Sequence, residues 1–446
     1  MSPENIKELN KKPLLVGGPV IYLMSKDIRV KNNPSLMYAQ RLALENKLEL
    51  KVYFNLYADL SVRSYQHFAF MIKGIEEVSV KLAKLNIPLV VSTSSEKDFL
   101  TELRKNKPCI LILDHSSLKH ARKKQQRVAE RLDCKVVTCD GRNIIPVWYL
   151  SDKEEHSART IRPKINKLLP LFIYKNKIPA FHSYNKQGDK NLINCNKLLA
   201  KVKAKHLSDY KPQIIPGEDA ALDVLGRFVN LKLDNYQETR SDPTKESTSL
   251  LSAYLHFGMI SPLTIYSAVK DMDNNAAFIE ELVVRRELAD NYCYNNHNYD
   301  NLKGAKDWAQ KTLIKHLSDR REFVYELQEF ESASTHDKAW NAAQTQMLRT
   351  GFMHGYMRMY WCKKILEWSS SAETAIQTAI YLNDKYQLDG LDSNGYTGIM
   401  WSIAGIHDRP WFEREVYGSI RYMNFNGLKR KFNIDSYISK WLPKQS

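Results

Sequence analysis

Met353–Trp368 reads MHGYMRMYWCKKILEW, and the rest of the chain is organised around it. Its sixteen residues hold three Met, two Tyr and two Trp, with Arg358 among them. Trp361 and Trp368 stand seven apart, two helical turns, and share one face of a helix. Tyr356 and Tyr360 share a face by the same arithmetic. As pattern alone this is a buried core helix rich in gap-filling Met. The alternative is a wall against a planar cofactor, with indoles able to carry an electron.

Around that stretch, from about residue 247, the pattern is nearly all helical. It predicts helices at 262–271, 276–292, 305–316, 318–331, 337–349, 353–368, 371–382 and 410–418. Six of the eight Trp fall here (308, 340, 361, 368, 401 and 411), material for an aromatic-ligand or base-stacking site. Upstream the text changes. Pro19–Met24, Leu50–Leu56, Ile87–Ser92, Cys109–Asp114 and Cys134–Asp140 are short apolar runs, the mark of strands covered on both faces. Helical patterns at Pro34–Lys47, Ser64–Leu85, Ser95–Asn106 and Leu118–Asp133 alternate with them. This predicts an α/β N-terminal domain with a Rossmann-like parallel sheet over 19–145. No G-x-G-x-x-G or Walker A motif is present to cradle a pyrophosphate. Leu118–Asp133 is strongly basic, read as a solvated face before a DNA face. Residues 146–246 hold seven Pro and the polar stretch Ser183–Asn191, and read as a long linker with some helix. Within it Ala158–Ile165 reads as a capped basic loop that could approach phosphate. An all-α C-terminal domain then covers 247–440.

Lys and Arg number 66 against 50 Asp and Glu, a formal charge of +16 that favours a polyanionic partner such as nucleic acid. With 43% hydrophobic and 26% charged residues the chain is of ordinary soluble composition. No signal-peptide core or membrane-length apolar run occurs, so a soluble intracellular protein is expected, with nucleus, cytoplasm and virion left open. The six Cys form no C-x-x-C pair and no zinc-ligand spacing; no metal and no structural disulfide are expected.

Four motifs could carry chemistry. Ser247–Gly258, STSLLSAYLHFG, puts hydroxyls ahead of an apolar helix, which suits N-capping or a bound phosphate. Phe278–Asn291, FIEELVVRRELADN, sets Glu281 and Arg285 one turn apart, either as a surface pair or as base-edge and phosphate ligands in a cleft. Thr335–Gln344, THDKAWNAAQ, starts a helix with Trp340 after a cap. Leu382–Trp401, LNDKYQLDGLDSNGYTGIMW, reads as a polar turn without EF-hand spacing. His354 and His407 sit in no catalytic or metal pattern and read as structural.

Taken together, EELVVRRELADN, THD-x-x-WNAAQ, MHGYMRMYW-x-KKILEW, LND-x-Y-x-LDG and MWSI-x-GIHD resemble the class II cyclobutane pyrimidine dimer photolyases over residues 19 to 438. The short N-terminus is similar to compact, poxvirus-carried members. The resemblance implies one bent FAD per chain, active as FADH−, in the helical domain, with a possible deazaflavin-type antenna chromophore. It implies an electron path Trp361, Trp340, Trp368 from the flavin outward, Trp368 being the surface end. It makes Arg358 and Asp389 a salt bridge beside the flavin ring, and Asn383 the neighbour of its N5 region. Thr248, Ser249, Leu251 and Ser252 match the phosphate segment, and Asp408 a flavin-contact motif. On the lesion side Glu281 matches the acid that bonds the dimer, in a deep site, and Trp401 the wall it stacks on. Arg285, Trp308, Arg414, Lys429, Arg430 and Lys431 are further candidates for DNA contact.

Phe352, Leu391, Ser393, Thr397 and Ile399 depart from the family pattern, and the loop changes leave Asn394 without an assignment. The expected activity is light-driven repair of dimer-containing DNA by a monomer. The rivals are a cryptochrome-like photoreceptor on the same fold and a colourless basic nucleic-acid-binding protein whose Trp residues stack on bases.

Overall fold

The computed structural model describes residues 3–56, 63–174, 178–186, 192–202 and 209–442. Its sheet has six strands: β1 (Ile6–Glu8), β2 (Val20–Met24), β3 (Leu50–Asn55), β4 (Leu89–Ser92), β5 (Ile110–Asp114) and β6 (Lys135–Cys139). The order is β1-β6-β5-β2-β3-β4. The five predicted strands pair in parallel, and β5 is buried at every residue, as both-face cover requires. No sequence pattern announces β1, which lies antiparallel on β6 with Ile6 opposite Cys139. Three residues are too few for a pattern, yet they suffice to cover an open sheet edge.

Four helices link the parallel strands: α1 (Pro34–Glu45), α2 (Tyr65–Lys84), α3 (Glu96–Lys105) and α4 (Lys119–Arg131). Asn33 caps α1 by accepting from the Leu36 amide, with Pro34 in the first turn. Helix α4 buries only Val128 and Ala129, so its basic face is solvated.

Strand order reverses between β2 and β5, and the loops there reach the helical half. Asp114 fixes the loop after β2. It accepts from Tyr22 and Ser35 hydroxyls at 2.7 and 2.8 Å and from the Ser25, Lys26 and Asp27 amides at 2.7–3.1 Å. In that loop Arg29 donates to Asp27 at 2.6 Å, Gly258 O at 2.9 Å and Gly141 O at 3.0 Å. Gly258 has φ +68°, and a Cβ there would lie 2.0 Å from Lys26 O, so only glycine permits this junction.

The Pro-rich middle is more ordered than its composition implies. Ala158–Ile165, expected as a loop, opens a helix running to Phe172 with Pro163 and Pro170 inside it. Ile161, Ile165, Leu169 and Phe172 are buried along one face, and that burial outweighs the lost amide bonds. Glu218–Leu231 is a second helix of this segment. Residues 187–191 of the polar stretch lie outside the described residues. One apolar cluster runs from β2 and α1 through Ile161 and Phe228 to Phe257 and Leu282, so the sheet, the middle segment and the first C-terminal helices share a core.

The helical half has its own core around Trp340, Trp361 and Ile403. Helices at Pro262–Val269, Asp307–Lys315, Lys338–Thr350, Gly355–Trp368 and Ala372–Tyr386 fall where predicted. The predicted 276–292 helix is broken by a π turn, Glu280–Arg285, before continuing as Arg286–Asn295. The helix expected at 318–331 shortens to Leu327–Glu331. No helix forms at 410–418. Pro410 opens that segment, Trp411 N–H bonds Ser419 O at 2.9 Å, and Arg414 and Gly418 exchange backbone bonds, Gly418 at φ +52°. Within the expected polar turn stands a full helix, Ser393–Ala404, capped by Asp392 accepting from the Asn394 amide at 3.1 Å. Its glycines hid it. Among the described residues no helix is long and apolar enough to cross a membrane. All six Cys are buried free thiols.

Candidate functional site

Between the π turn and the helices Gly355–Trp368 and Ser393–Ala404 lies a cavity of about 550 Å³. Glu281, Arg285, Arg358, Trp361, Asn383 and Trp401 all line it. The π turn separates two adjacent acids. Glu280 is held outward by Arg162 at 2.8 Å and Arg285 at 3.0 Å. Glu281 pairs with Arg240 at 2.8 Å, and its side chain is 39% exposed. Glu281 is therefore not buried as deeply as expected. Its partner comes from the middle segment, where no sequence motif marked it.

Arg358 donates to Met353 O at 3.0 Å, Gln387 Oε1 at 2.9 Å and both Asp389 oxygens at 2.8 and 3.0 Å. Asn383 donates to Asp384 at 3.0 Å and lies against Gly395, where a Cβ would come within 2.9 Å of its amide nitrogen. Asp384 also accepts from the Leu391 amide at 2.8 Å and the Tyr396 hydroxyl at 2.8 Å. That bond holds Leu391, a departure from the family pattern, at φ +54°, the left-handed region. Asn394, left without an assignment, lines the cavity. So do Thr397 and His407, whose Oγ1 and Nε2 are buried without a protein partner.

Behind Trp361 the indoles continue. Trp340 stacks on it with centroids 6.1 Å apart and planes 9° apart, and Trp368 lies 6.2 Å beyond at 64°. Asp337 starts the Trp340 helix by accepting from the Ala339 and Trp340 amides at 2.8 and 3.0 Å. Trp340 Nε1–H donates to Trp361 O at 3.1 Å, and Trp361 Nε1–H to Gln344 Oε1 at 2.9 Å. Trp368, expected as the surface end, is only 3% exposed, but it lines a second cleft of about 1290 Å³ with Tyr360 and Tyr422.

The remaining candidates scatter. Ser252 and Asp389 line a small recess with Leu250, which has φ +58°. Leu251 is buried, and its amide donates to Ser249 Oγ at 3.4 Å. Thr248 precedes them, and no side chain caps the Ser252–Phe257 helix. Asp408 does not line the cavity; it pairs with Arg421 at 3.0 Å. Trp308 packs on Gly405, and Arg414 covers Tyr422 in the second cleft. Lys429, Arg430 and Lys431 end the helix Phe425–Lys431, Lys431 lying over Tyr356. Around the candidate Arg414, sequence reasoning assigned no role to Arg409, Trp411 and Phe412, which form an exposed tip with Trp411 37% and Phe412 91% exposed. Arg421 joins this tip to the cavity, 4.3 Å from Trp411 and 5.3 Å from Trp401. The signal was the basic, aromatic run IHDRPWFER.

His354 caps the Trp361 helix, accepting from the Tyr356 amide at 3.2 Å, and burial lowers it to about 4. Burial lowers His407 to about 3, so it faces the cavity neutral. A buried ionic knot holds the Ser393–Ala404 helix to the sheet domain. Asp392 accepts from Arg142 and, at 3.1 Å, from His256 Nδ1. Arg142 draws Asp392 well below the usual carboxylate range despite burial, and burial keeps His256 neutral. A further cavity of about 310 Å³ lies in the α/β half beside Pro34, Tyr38 and Tyr174.

A parallel α/β half joined to a helical half around an indole-walled cavity is the photolyase and cryptochrome architecture. Residues 20–182 match the DNA photolyase family model. The chain is 41% identical to the deoxyribodipyrimidine photo-lyase of Arabidopsis thaliana over 95% of its own length and 88% of that protein's. It superposes on a class III photolyase from Agrobacterium tumefaciens with TM-score 0.75 at 18% identity, covering 96% of this chain and 87% of that one. A cryptochrome from Synechocystis gives 0.72 at 16%, covering 96% and 89%. The chain belongs to the DNA photolyase family.

Proposed function

We propose that this chain is a class II cyclobutane pyrimidine dimer photolyase, a carbon–carbon lyase that repairs DNA in light with FADH− as donor. One observation carries this: a single cavity holds Glu281 and Trp401, Arg358 and Asn383, and opens through Trp361 onto Trp340 and Trp368. The motif order and Trp placement support class II.

The donor set fits a flavin. Thr397 Oγ1 and His407 Nε2 are unpaired at the cavity, Asn383 presents an amide, and Arg358 is fixed as a cation by Asp389. Thr248, Ser249, Leu251 and Ser252 would hold the diphosphate, Ser252 lying beside Asp389. Bound, the reduced flavin supplies a photoexcited one-electron donor. Trp401 gives a flipped dimer a flat wall, and a dimer stacks poorly in DNA, so extruding it costs less than extruding normal bases. Glu281 accepts from the base edge, and Arg240, bridged to it, supplies the positive charge that stabilises the anion developing there. Trp361, Trp340 and Trp368 would conduct electrons towards a flavin held in the cavity. Asp408 acts through Arg421. Phe412, Trp411, Arg409 and Arg414 form a basic aromatic tip that enters the gap left by the flipped bases, with Arg285 on the backbone. Trp308 and Lys429–Lys431 extend the basic face. A second, antenna chromophore of deazaflavin type would have the cavity beside Tyr38 and Tyr174 as its candidate site.

The lesion-side pair Glu281 and Trp401 favours repair over a photoreceptor. Incubating flavin-loaded protein with ultraviolet-irradiated DNA tests this. Dimers should fall in blue light and persist in darkness; equal dimer counts in both would reject repair.

A further inference from the structure

Among the described residues two indoles line the cavity, and of the two only Trp361 is stacked on another indole. Trp361 is backed by Trp340 and then Trp368. Trp401 is backed by cations. Lys363 is fully buried, its Nζ has no hydrogen-bond partner, and it lies 5.2 Å from the Trp401 ring centroid. The Arg421 guanidinium lies 5.3 Å from the same centroid. Asp408, bonded to Arg421 at 3.0 Å, offsets one of the two charges and leaves one in excess.

A cation beside an aromatic face is attracted by the neutral ring and repelled by the same ring once it has lost an electron. Around Trp361 the sign is reversed. The Gln344 carbonyl oxygen accepts its N–H at 2.9 Å, a bond that strengthens as electron loss makes that N–H more acidic. Lys364 lies near Trp368, but its charge is taken up by Glu367.

Resting on the flavin reading of the cavity, we propose that Lys363 and Arg421 direct the light-driven electron transfer, holding Trp401 against oxidation so that the electron is drawn from Trp361. One electron leaves the Trp361 π system for the excited oxidised flavin, and no bond breaks. Trp340 refills Trp361, Trp368 refills Trp340, and an added thiol refills Trp368. The Trp361 proton stays in its bond to Gln344 meanwhile. A hole on Trp401 would have no stacked indole behind it, so only thiol entering the cavity would refill it, and most of the electrons would return unused.

Asp408, Cys362 and Arg421 are the ionisable groups facing Lys363, and burial lowers it to about 7. The test is therefore made at pH 6. Lys363→Met should fold, because it fills the same volume without a buried unpaired charge; Arg421→Gln changes a half-exposed position. Apoprotein is oxidised with a one-electron photosensitiser, and modified Trp residues are mapped by peptide mass spectrometry. Trp401 modification should rise several-fold in the Lys363→Met/Arg421→Gln variant and stay near the parent level in Arg421→Lys. In holoprotein, Trp361→Phe should abolish photoreduction by thiol. Adding Lys363→Met and Arg421→Gln should restore part of it, and a further Trp401→Phe should remove it again. Unchanged Trp401 modification overturns the proposal and leaves the Trp361 path standing. Full photoreduction by Trp361→Phe alone overturns that path and the proposal with it.

Discussion

Glu281 and Trp401 face each other across the cavity by very different routes. Glu281 arrives on a π turn and is steadied by Arg240 from a distant segment; Trp401 arrives on a helix that the glycines of its sequence concealed. Spacing alone placed Glu281 and Arg285 one turn apart, but could not distinguish a surface pair from a cleft pair. The family motifs, not the periodicity, singled out Trp340, Trp361 and Trp368. Arg240, Lys363 and Arg421 stayed hidden because their contacts to Glu281 and Trp401 join different elements. Glu281→Gln keeps the shape but loses the charge-assisted bond. The dimer-splitting yield should fall about tenfold or more, equivalent to about 1.5–3 kcal/mol; an undiminished yield per photon would remove Glu281 from the chemistry. Trp401→Ala should weaken binding of dimer-containing DNA by about 1–3 kcal/mol while leaving affinity for undamaged DNA nearly unchanged, as titration of both DNAs would read.

Among the elements, the parallel strands and their crossover helices were legible because apolar runs and caps are local. The Ala158–Phe172 helix was not: two internal prolines argue against it, and only burial against the neighbouring core explains it. The 410–418 segment failed the other way, its helical spacing overruled by Pro410 and the Arg414–Gly418 bridge. The helix Ser393–Ala404 depends on Asp392 being held by Arg142 and His256. Arg142→Ala would leave Asp392 buried without its ion-pair partner. It should cost about 3–5 kcal/mol of stability in denaturant titration and loosen flavin binding as that helix shifts. A variant with unchanged midpoint and flavin content would show that the knot is not what fixes the cavity wall.

At the scale of the whole molecule, buried histidines set the response to acid. Burial lowers His67 and His407 to about 3, His115 and His354 to about 4, and His256 further. The unfolded chain protonates each near 6.5, so every one removes stability as pH falls below that value. Asp27 and Glu287, raised to about 6 and about 8 by burial, act oppositely, because the folded chain takes up their protons first. Between pH 6 and 5 the unfolded chain binds about three protons more than the folded one. Stability should then fall by about 4 kcal/mol per pH unit, read as a shrinking urea midpoint; a flat profile would show that these imidazoles hydrate freely. With a formal charge of +16, affinity for undamaged DNA should fall steeply as salt rises, although the composition does not locate the face responsible.

The most direct test separates splitting the dimer from reloading the donor, since the cavity and the indole line behind it are distinct. Trp361→Phe, purified with flavin, is assayed at pH 6 for photoreduction of oxidised flavin and, after chemical reduction, for light-driven repair. Photoreduction should be lost and repair largely kept. Photoreduction at the parent rate, or repair abolished in the reduced protein, would contradict this division of labour between the cavity and its tryptophans.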